Sequence, residues 1–200
     1  MGPISRSVDF FERQFQGQVE RAEYVLNPFE RAILPYLRGQ VLDLGCGLGN
    51  LALAAAQAGC AVSALDASTT GIADLAKRAA GLGVPLDARV ADLRRFEASR
   101  QYDCVVCVGL LMFLPCSEAR AVLGQIRGAV RPGGLAAVNV LVAGTTYLAM
   151  FDPEGYCLFE RDELTAAFEG WQLLLSKHED FPAPGETVKR FHTVVAERRT

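Results

Sequence analysis

The sequence predicts an α/β fold: one mostly parallel β-sheet with helices packed on both faces. Three observations carry this. From residue 41 onward, short apolar runs alternate with helix-patterned stretches. The run over 102–111, YDCVVCVGLL, is so continuously apolar that both of its faces must be buried, as in the interior of a parallel sheet. The stretch VLDLGCGLGNL over 41–51 reads as strand, glycine-rich turn and helix, the front half of a nucleotide-binding βαβ unit.

The elements follow in order. Val8, Phe10, Phe11 and Phe15 are spaced for a first short amphipathic helix. Pro28 suits the first turn of a second helix running to Leu37 and ending at Gly39. These two helices pack against the domain or cover its binding cleft as a lid. Residues 41–44 form the first strand, and 51–58 the helix after the glycine turn. A second strand covers 61–65 and ends at Asp66, with Ser68 placed to cap a helix reaching about residue 80 before Gly81 and Gly83. Residues 86–91 form a third strand, with Asp92 just beyond it, and 102–111 the fourth. A helix over 117–130 leads to the turn Arg131-Pro132-Gly133-Gly134 and a fifth strand over 135–142.

The end of the chain changes pattern. A helix over 161–168 precedes a strand over 171–176, a loop around Phe181-Pro182-Ala183-Pro184-Gly185, and a strand over 188–197. Strands joined by so short a loop are most simply antiparallel. With 200 residues, half of them apolar, and no repeat or linker, residues 1–200 read as a single domain. Residues 1–39 are its helical lead-in and 40–200 its core.

Composition excludes several classes. The net charge is −3 and no dense Lys/Arg block stands out, which argues against a nucleic-acid partner. No run of about 18 uncharged apolar residues outside the core strands speaks for a membrane span. The start, MGPISRSVDFFERQF, lacks a signal-type apolar stretch, and Pro3 and Arg6 spoil a myristoylation motif at Gly2. The expected location is cytoplasmic. The six cysteines, Cys46, Cys60, Cys104, Cys107, Cys116 and Cys157, read as small buried hydrophobes in a reducing compartment. Cys104 and Cys107 form a CxxC inside a strand, where side chains three apart point to opposite faces, so no metal site is expected.

The glycine turn needs a ligand. A dinucleotide fingerprint is GxGxxG; here the spacing is GxGxG over Gly45, Gly47 and Gly49, with Asn50 where the last glycine would fall. No GK[ST] follows, which excludes a P-loop. Asp43 lies inside the strand two residues before the turn, where a carboxylate suits a cationic ligand end such as an ammonium. Asp66 ends the second strand, where a carboxylate takes both hydroxyls of a ribose. Asp92 follows the third, in reach of the amino edge of an adenine. Acids at the carboxyl ends of three adjacent strands line one crevice of such a sheet. Ammonium, ribose and adenine without phosphate describe S-adenosylmethionine, with S-adenosylhomocysteine as product.

On these residues the chain resembles the class I S-adenosylmethionine-dependent methyltransferases. DLGCGLGN over 43–50 matches their first motif, Asp66 the second-strand acid, Val90-Ala91-Asp92-Leu93 the adenine motif, and RPGG the entry to the fifth strand. The resemblance implies a three-layer Rossmann-like methyltransferase sandwich, its sheet seven-stranded and mostly parallel with an antiparallel last strand. It implies a cofactor site of Asp43, Gly45, Cys46, Gly47, Gly49, Asp66, Ala67, Asp92, Leu93 and Val108, with Cys46 as packing rather than nucleophile. Several segments, among them Leu111-Met112-Phe113-Leu114, Glu169-Gly170-Trp171 and Arg190-Phe191-His192-Thr193, are similar to the tellurite-resistance (TehB-like) methyltransferases. That implies a chalcogen oxyanion or a reduced chalcogen as methyl acceptor. That family's His-Arg pair before the last strand is missing here, while Arg190 matches its arginine. Pro115-Cys116 resembles the PC pair of cytosine-C5 methyltransferases, but the rest of that apparatus is absent, and Cys116 reads as packing.

Arg190 and His192 share one strand face and are the catalytic candidates, a cationic pair for a small anionic acceptor if that face points into the cleft. The sulfonium itself activates the methyl group, so the protein mainly positions the acceptor and excludes water. No Asp-His or Lys-Asp pair stands out as a general base, which favours a thiol, chalcogen or small polar acceptor. The alternatives are a small-molecule N- or O-methyltransferase and, more remotely, an NAD-dependent oxidoreductase or a non-catalytic binding protein on the same fold. A monomer or homodimer acting on a small molecule is expected.

Overall fold

The computed structural model describes residues 6–153 and 155–200. Residues 1–5, and with them the reading of Gly2 and Pro3, lie outside it. Seven strands form one sheet in the order β3-β2-β1-β4-β5-β7-β6. They are β1 (Gln40–Leu44), β2 (Ala61–Asp66), β3 (Leu86–Val90), β4 (Tyr102–Val108), β5 (Val130–Leu141), β6 (Gln172–Ala183) and β7 (Thr187–Glu197). The pairs among β1 to β5 are parallel. β7 is inserted antiparallel between β5 and β6. This is the seven-stranded, mostly parallel sheet that the resemblance implies.

The helices are α1 (Arg6–Glu20), α2 (Pro28–Ile33), α3 (Asn50–Gln57), α4 (Thr69–Leu82), α5 (Cys116–Ala129) and α6 (Glu163–Ala167). Two large apolar clusters lie on opposite faces of the sheet. One joins Val41, Cys104, Val106 and Val195 to α3 and α4; the other joins Leu42, Cys107, Val194 and Ala196 to α5 and α6. Cys104 and Cys107 thus face opposite ways, as their spacing requires. Among the described residues no helix is long and apolar enough to cross a membrane.

Several boundaries move for local reasons. α2 stops at Ile33 and tightens into a 3-10 turn over Leu34–Tyr36, because Pro35 cannot continue a helix. Its start is a capping box: the Glu30 N–H donates to Asn27 Oδ1 at 2.9 Å and the Asn27 N–H to Glu30 Oε2 at 2.7 Å. β4 ends at Val108, three residues early, where Gly109 turns the chain with φ of 69°. β6 runs on to Ala183, so the expected loop shrinks to a turn. Ser68 caps α4 as expected, its Oγ accepting from the Gly71 N–H at 2.9 Å.

One expectation is corrected. Cys116 and Cys157 form a disulfide. They come together because Cys116 opens α5 and the segment after β5 folds back, with the Cys157 N–H donating to the Met112 carbonyl at 3.0 Å. The remaining four cysteines are free and buried.

Candidate active site

The carboxyl ends of β1, β2, β3 and β4 open into a cleft of about 940 Å³, covered by α1 and α2. Its floor is the glycine turn. Gly47 has φ of 55°, a conformation glycine adopts freely. A Cβ there would stand 2.9 Å from the Phe15 ring of α1. Gly49, at φ of 67°, directly precedes α3 and aims that helix's free N–H groups at the cleft.

All ten residues expected to hold a cofactor line this cleft: Asp43, Gly45, Cys46, Gly47, Gly49, Asp66, Ala67, Asp92, Leu93 and Val108. Asp43 is 4% exposed. Burial first, and then the carboxylates of Glu30 and Asp66, push its carboxyl up to about 8. A cation beside it would stabilise the ionised form that burial disfavours. Asp66 accepts from the N–H groups of Gly47 and Ser68, each at 2.8 Å. Burial pushes its carboxyl up, and those bonds oppose the rise. Asp92 is held by the Arg94 side chain at 2.8 and 2.9 Å, which keeps its carboxyl below the usual range. Burial pushes the Cys46 thiol up, so it is inert, in keeping with a packing role.

The first helix lies over this floor. Val8, Phe10, Phe11, Gln14 and Phe15 line the cleft. Phe11 meets Phe113 edge-on at 4.8 Å. Glu12 clasps the start of α4: it accepts from Ser68 Oγ at 2.5 Å, from the Thr70 N–H at 3.2 Å and from the Thr70 hydroxyl. Burial works against its charge, yet these bonds prevail and hold the carboxyl below its ordinary value.

The two catalytic candidates are not brought to the cleft. Asp43 pairs with Val106, Val106 with Ala137, and Ala137 with Val195, so these four share one face. Counting back from Val195 by twos, Thr193, Phe191 and Lys189 also share it, whereas His192 and Arg190 point to the α5–α6 side. His192 is fully buried there, bonded to Ser176 Oγ at 3.0 Å and stacked on His178 at 3.9 Å. Arg190 lies along Gly144 and meets Asp180 at 3.5 Å.

The far half of the cleft is built from residues that the sequence reading missed. Phe29, Met112, Phe113, Tyr147, Met150 and Phe191 supply apolar walls. Glu30, Asn139 and Lys189 supply polar groups. Asn139 is fully buried; its Nδ2 donates to Thr193 Oγ1 at 2.9 Å and its Oδ1 has no partner. Lys189 Nζ lies 4.7 Å from the centroid of Tyr147. Strand register is the signal that finds Asn139, Lys189 and Phe191, and the sequence does not display it; the others sit on α2, on the turn after β4 and on the segment after β5.

Comparison with known proteins bears on the fold. Residues 41–134 match a family model described as a methyltransferase domain. Hemagglutinin 1 of Eikenella corrodens is 27% identical over 83% of this chain and 58% of its own length. A ubiquinone biosynthesis O-methyltransferase of Paraburkholderia xenovorans is 32% identical over 64% of this chain and 61% of its own. The chain thus spans about three fifths of the length of the curated relatives it matches. Among solved structures, TehB from Haemophilus influenzae superposes with a TM-score of 0.76 at 18% identity, over 96% of this chain and 67% of that one. The fold is the Rossmann-like methyltransferase fold.

Proposed function

We propose that this chain, a methyltransferase domain on the class I fold, transfers the methyl group of S-adenosylmethionine to a small molecule with a large apolar face. The observation that carries this reading is the convergence of Asp43, Asp66 and Asp92, from three neighbouring strand ends, on one cleft floored by the glycine turn. In this reading Asp43 takes the ammonium, Asp66 the ribose, and Asp92 with Leu93 the adenine.

Held by these residues, S-adenosylmethionine would supply a methyl group already activated by its sulfonium to the acceptor's lone pair, with S-adenosylhomocysteine as the leaving group and any acceptor proton passing to solvent. The chain positions and dehydrates the reactants. The walls bear on the choice of acceptor. An oxyanion of the chalcogen type needs a cradle of several cations; Arg190 stands on the other face of the sheet, and among the described residues Lys189 is the single cation lining this half of the cleft. Phenylalanine and methionine walls fit an apolar acceptor better, and so does the O-methyltransferase among the relatives.

Calorimetric titration with S-adenosylhomocysteine and with NAD tests the reading, together with a tritiated-methyl transfer assay over phenols, amines, thiols and selenite. The expected result is binding of S-adenosylhomocysteine without NAD. Binding of NAD alone overturns the methyltransferase assignment, and turnover of selenite alone overturns the apolar acceptor.

A further inference from the structure

The acceptor half of the cleft carries more information than apolarity. Its walls are aromatic and sulfur-rich. Phe29 and Phe191 meet at 4.5 Å, and Phe113 and Phe151 at 5.1 Å, with Met112 and Met150 beside them. Offset rings and thioethers make favourable contacts with a flat ring.

One cation stands at this wall. Lys189 lies over the Tyr147 ring and shares the cleft face with Phe191. Two carboxylates of β6 are already engaged, Glu179 with Lys177 at 2.7 Å and Asp180 with Arg190 at 3.5 Å, and no carboxylate pairs with Lys189 among the described residues. The other cation lining the cleft, Arg94, is paired with Asp92. Lys189 is therefore the cleft cation left without a carboxylate among the described residues. Tyr147 restrains it, which lowers the cost of holding it for an anion.

A third observation is independent of both. Asn139 Oδ1 sits in the same wall, fully buried and unpaired. A buried acceptor left empty costs free energy that a ligand's O–H or N–H recovers.

We propose that the methyl acceptor is a flat aromatic ring bearing a carboxylate and a hydroxyl or amino group, the carboxylate paired with Lys189 and the donor group read by Asn139. This rests on the methyltransferase reading and names the substrate class of the same site. Tyr147 and Lys189 act as specificity-determining residues, placing the ring so that its nucleophilic oxygen or nitrogen faces the cofactor.

The test uses the full chain saturated with S-adenosylhomocysteine. 3,4-Dihydroxybenzoate and its uncharged methyl ester are titrated in turn by calorimetry. The acid is expected to bind about tenfold tighter than the ester, the scale of one charge-assisted contact. Lys189→Met is expected to bring the two within about twofold, and Lys189→Arg to restore the preference, with the affinity for S-adenosylhomocysteine unchanged in both variants. Equal binding of acid and ester, binding of neither, or a preference that survives Lys189→Met overturns the proposal and leaves the methyltransferase reading standing. Failure of S-adenosylhomocysteine itself to bind overturns both.

Discussion

The backbone N–H of Gly47 donates to the carboxylate of Asp66 at 2.8 Å, tying the glycine turn to the end of the neighbouring strand. The second oxygen of Asp66 is held by the Ser68 N–H at the same distance. A carboxylate fixed at both ends meets a ribose without first being ordered. Asp66→Ala is expected to weaken S-adenosylhomocysteine binding by at least about tenfold, since charge-assisted bonds contribute roughly 1.5–3 kcal/mol each. Calorimetry checks this, and unchanged affinity refutes the ribose role.

Glu12 decides whether α1 is a lid or packing. Its carboxylate bonds the serine and threonines that open α4, while Phe15 on the same helix covers Gly47. Glu12→Ala removes the clasp and leaves the apolar contacts. A lid predicts that S-adenosylhomocysteine then dissociates several-fold faster, read by stopped-flow fluorescence, with association little changed. A lower melting temperature with unaltered dissociation shows that α1 is packing.

The half of the cleft around the glycine turn is legible in sequence because its signals are local. Asp43, the three glycines, Asp66 and Asp92 each sit within a few residues of a strand end that hydrophobicity marks. The acceptor half is not. Residues 193 to 196 of β7 are all buried, so no alternation shows which face each takes. A shift of one residue exchanges Arg190 for Lys189. The disulfide was hidden for another reason: the two cysteines lie 41 residues apart, and only the fold-back of the segment after β5 joins them.

Asp43 makes cofactor binding depend on pH. Its carboxyl, raised to about 8 by burial with Glu30 and Asp66 adding repulsion, keeps its proton in the free protein below that pH. Its contribution to folding is fully present below its unfolded value of 3.8 and is lost as pH rises through about 8. An ammonium needs the ionised form, so binding below pH 8 expels a proton. Affinity should rise with pH by up to about tenfold per unit until Asp43 is ionised, and fall again where the ligand's own amine deprotonates. Calorimetry in buffers of different ionisation enthalpy measures the released proton, and Asp43→Asn should abolish it. A wild-type affinity flat from pH 6 to 8 rules out the ammonium role.

His192 and Arg190 behave as structure. Burial, with His178 adding repulsion, lowers His192 from its ordinary 6.5 to about 4. The fold keeps the ring neutral, so its stabilisation is present above pH 6.5 and disappears as pH falls through 4. Chemical denaturation should show this loss in the wild type and a smaller one in His192→Gln. Arg190→Ala should leave methyl transfer within about twofold, because its face of the sheet is not the cleft's. A large drop in turnover without a change in stability would return Arg190 to the site.

The Cys116–Cys157 bond anchors the chain that walls the acceptor pocket. Between β5 and Cys157 lie Tyr147 and Met150, which line the cleft, and Phe151, which packs on Phe113 at 5.1 Å. Closing a loop over a separation of 41 residues contributes up to about 4 kcal/mol by constraining the unfolded chain. Reduction, or the Cys116→Ser/Cys157→Ser pair, should lower the melting temperature. It should also weaken an aromatic acceptor several-fold, because the segment bearing Tyr147 and Met150 loses its covalent tie and keeps only backbone hydrogen bonds, such as those to Val188 and Met112. S-adenosylhomocysteine should bind as before, since Asp43, Asp66 and Asp92 are carried by β1, β2 and the turn after β3, none of which the bond touches. Titrating both ligands with and without dithiothreitol separates the halves of the cleft. A loss confined to the cofactor, with acceptor binding intact, would show that the disulfide braces the wrong half for this account.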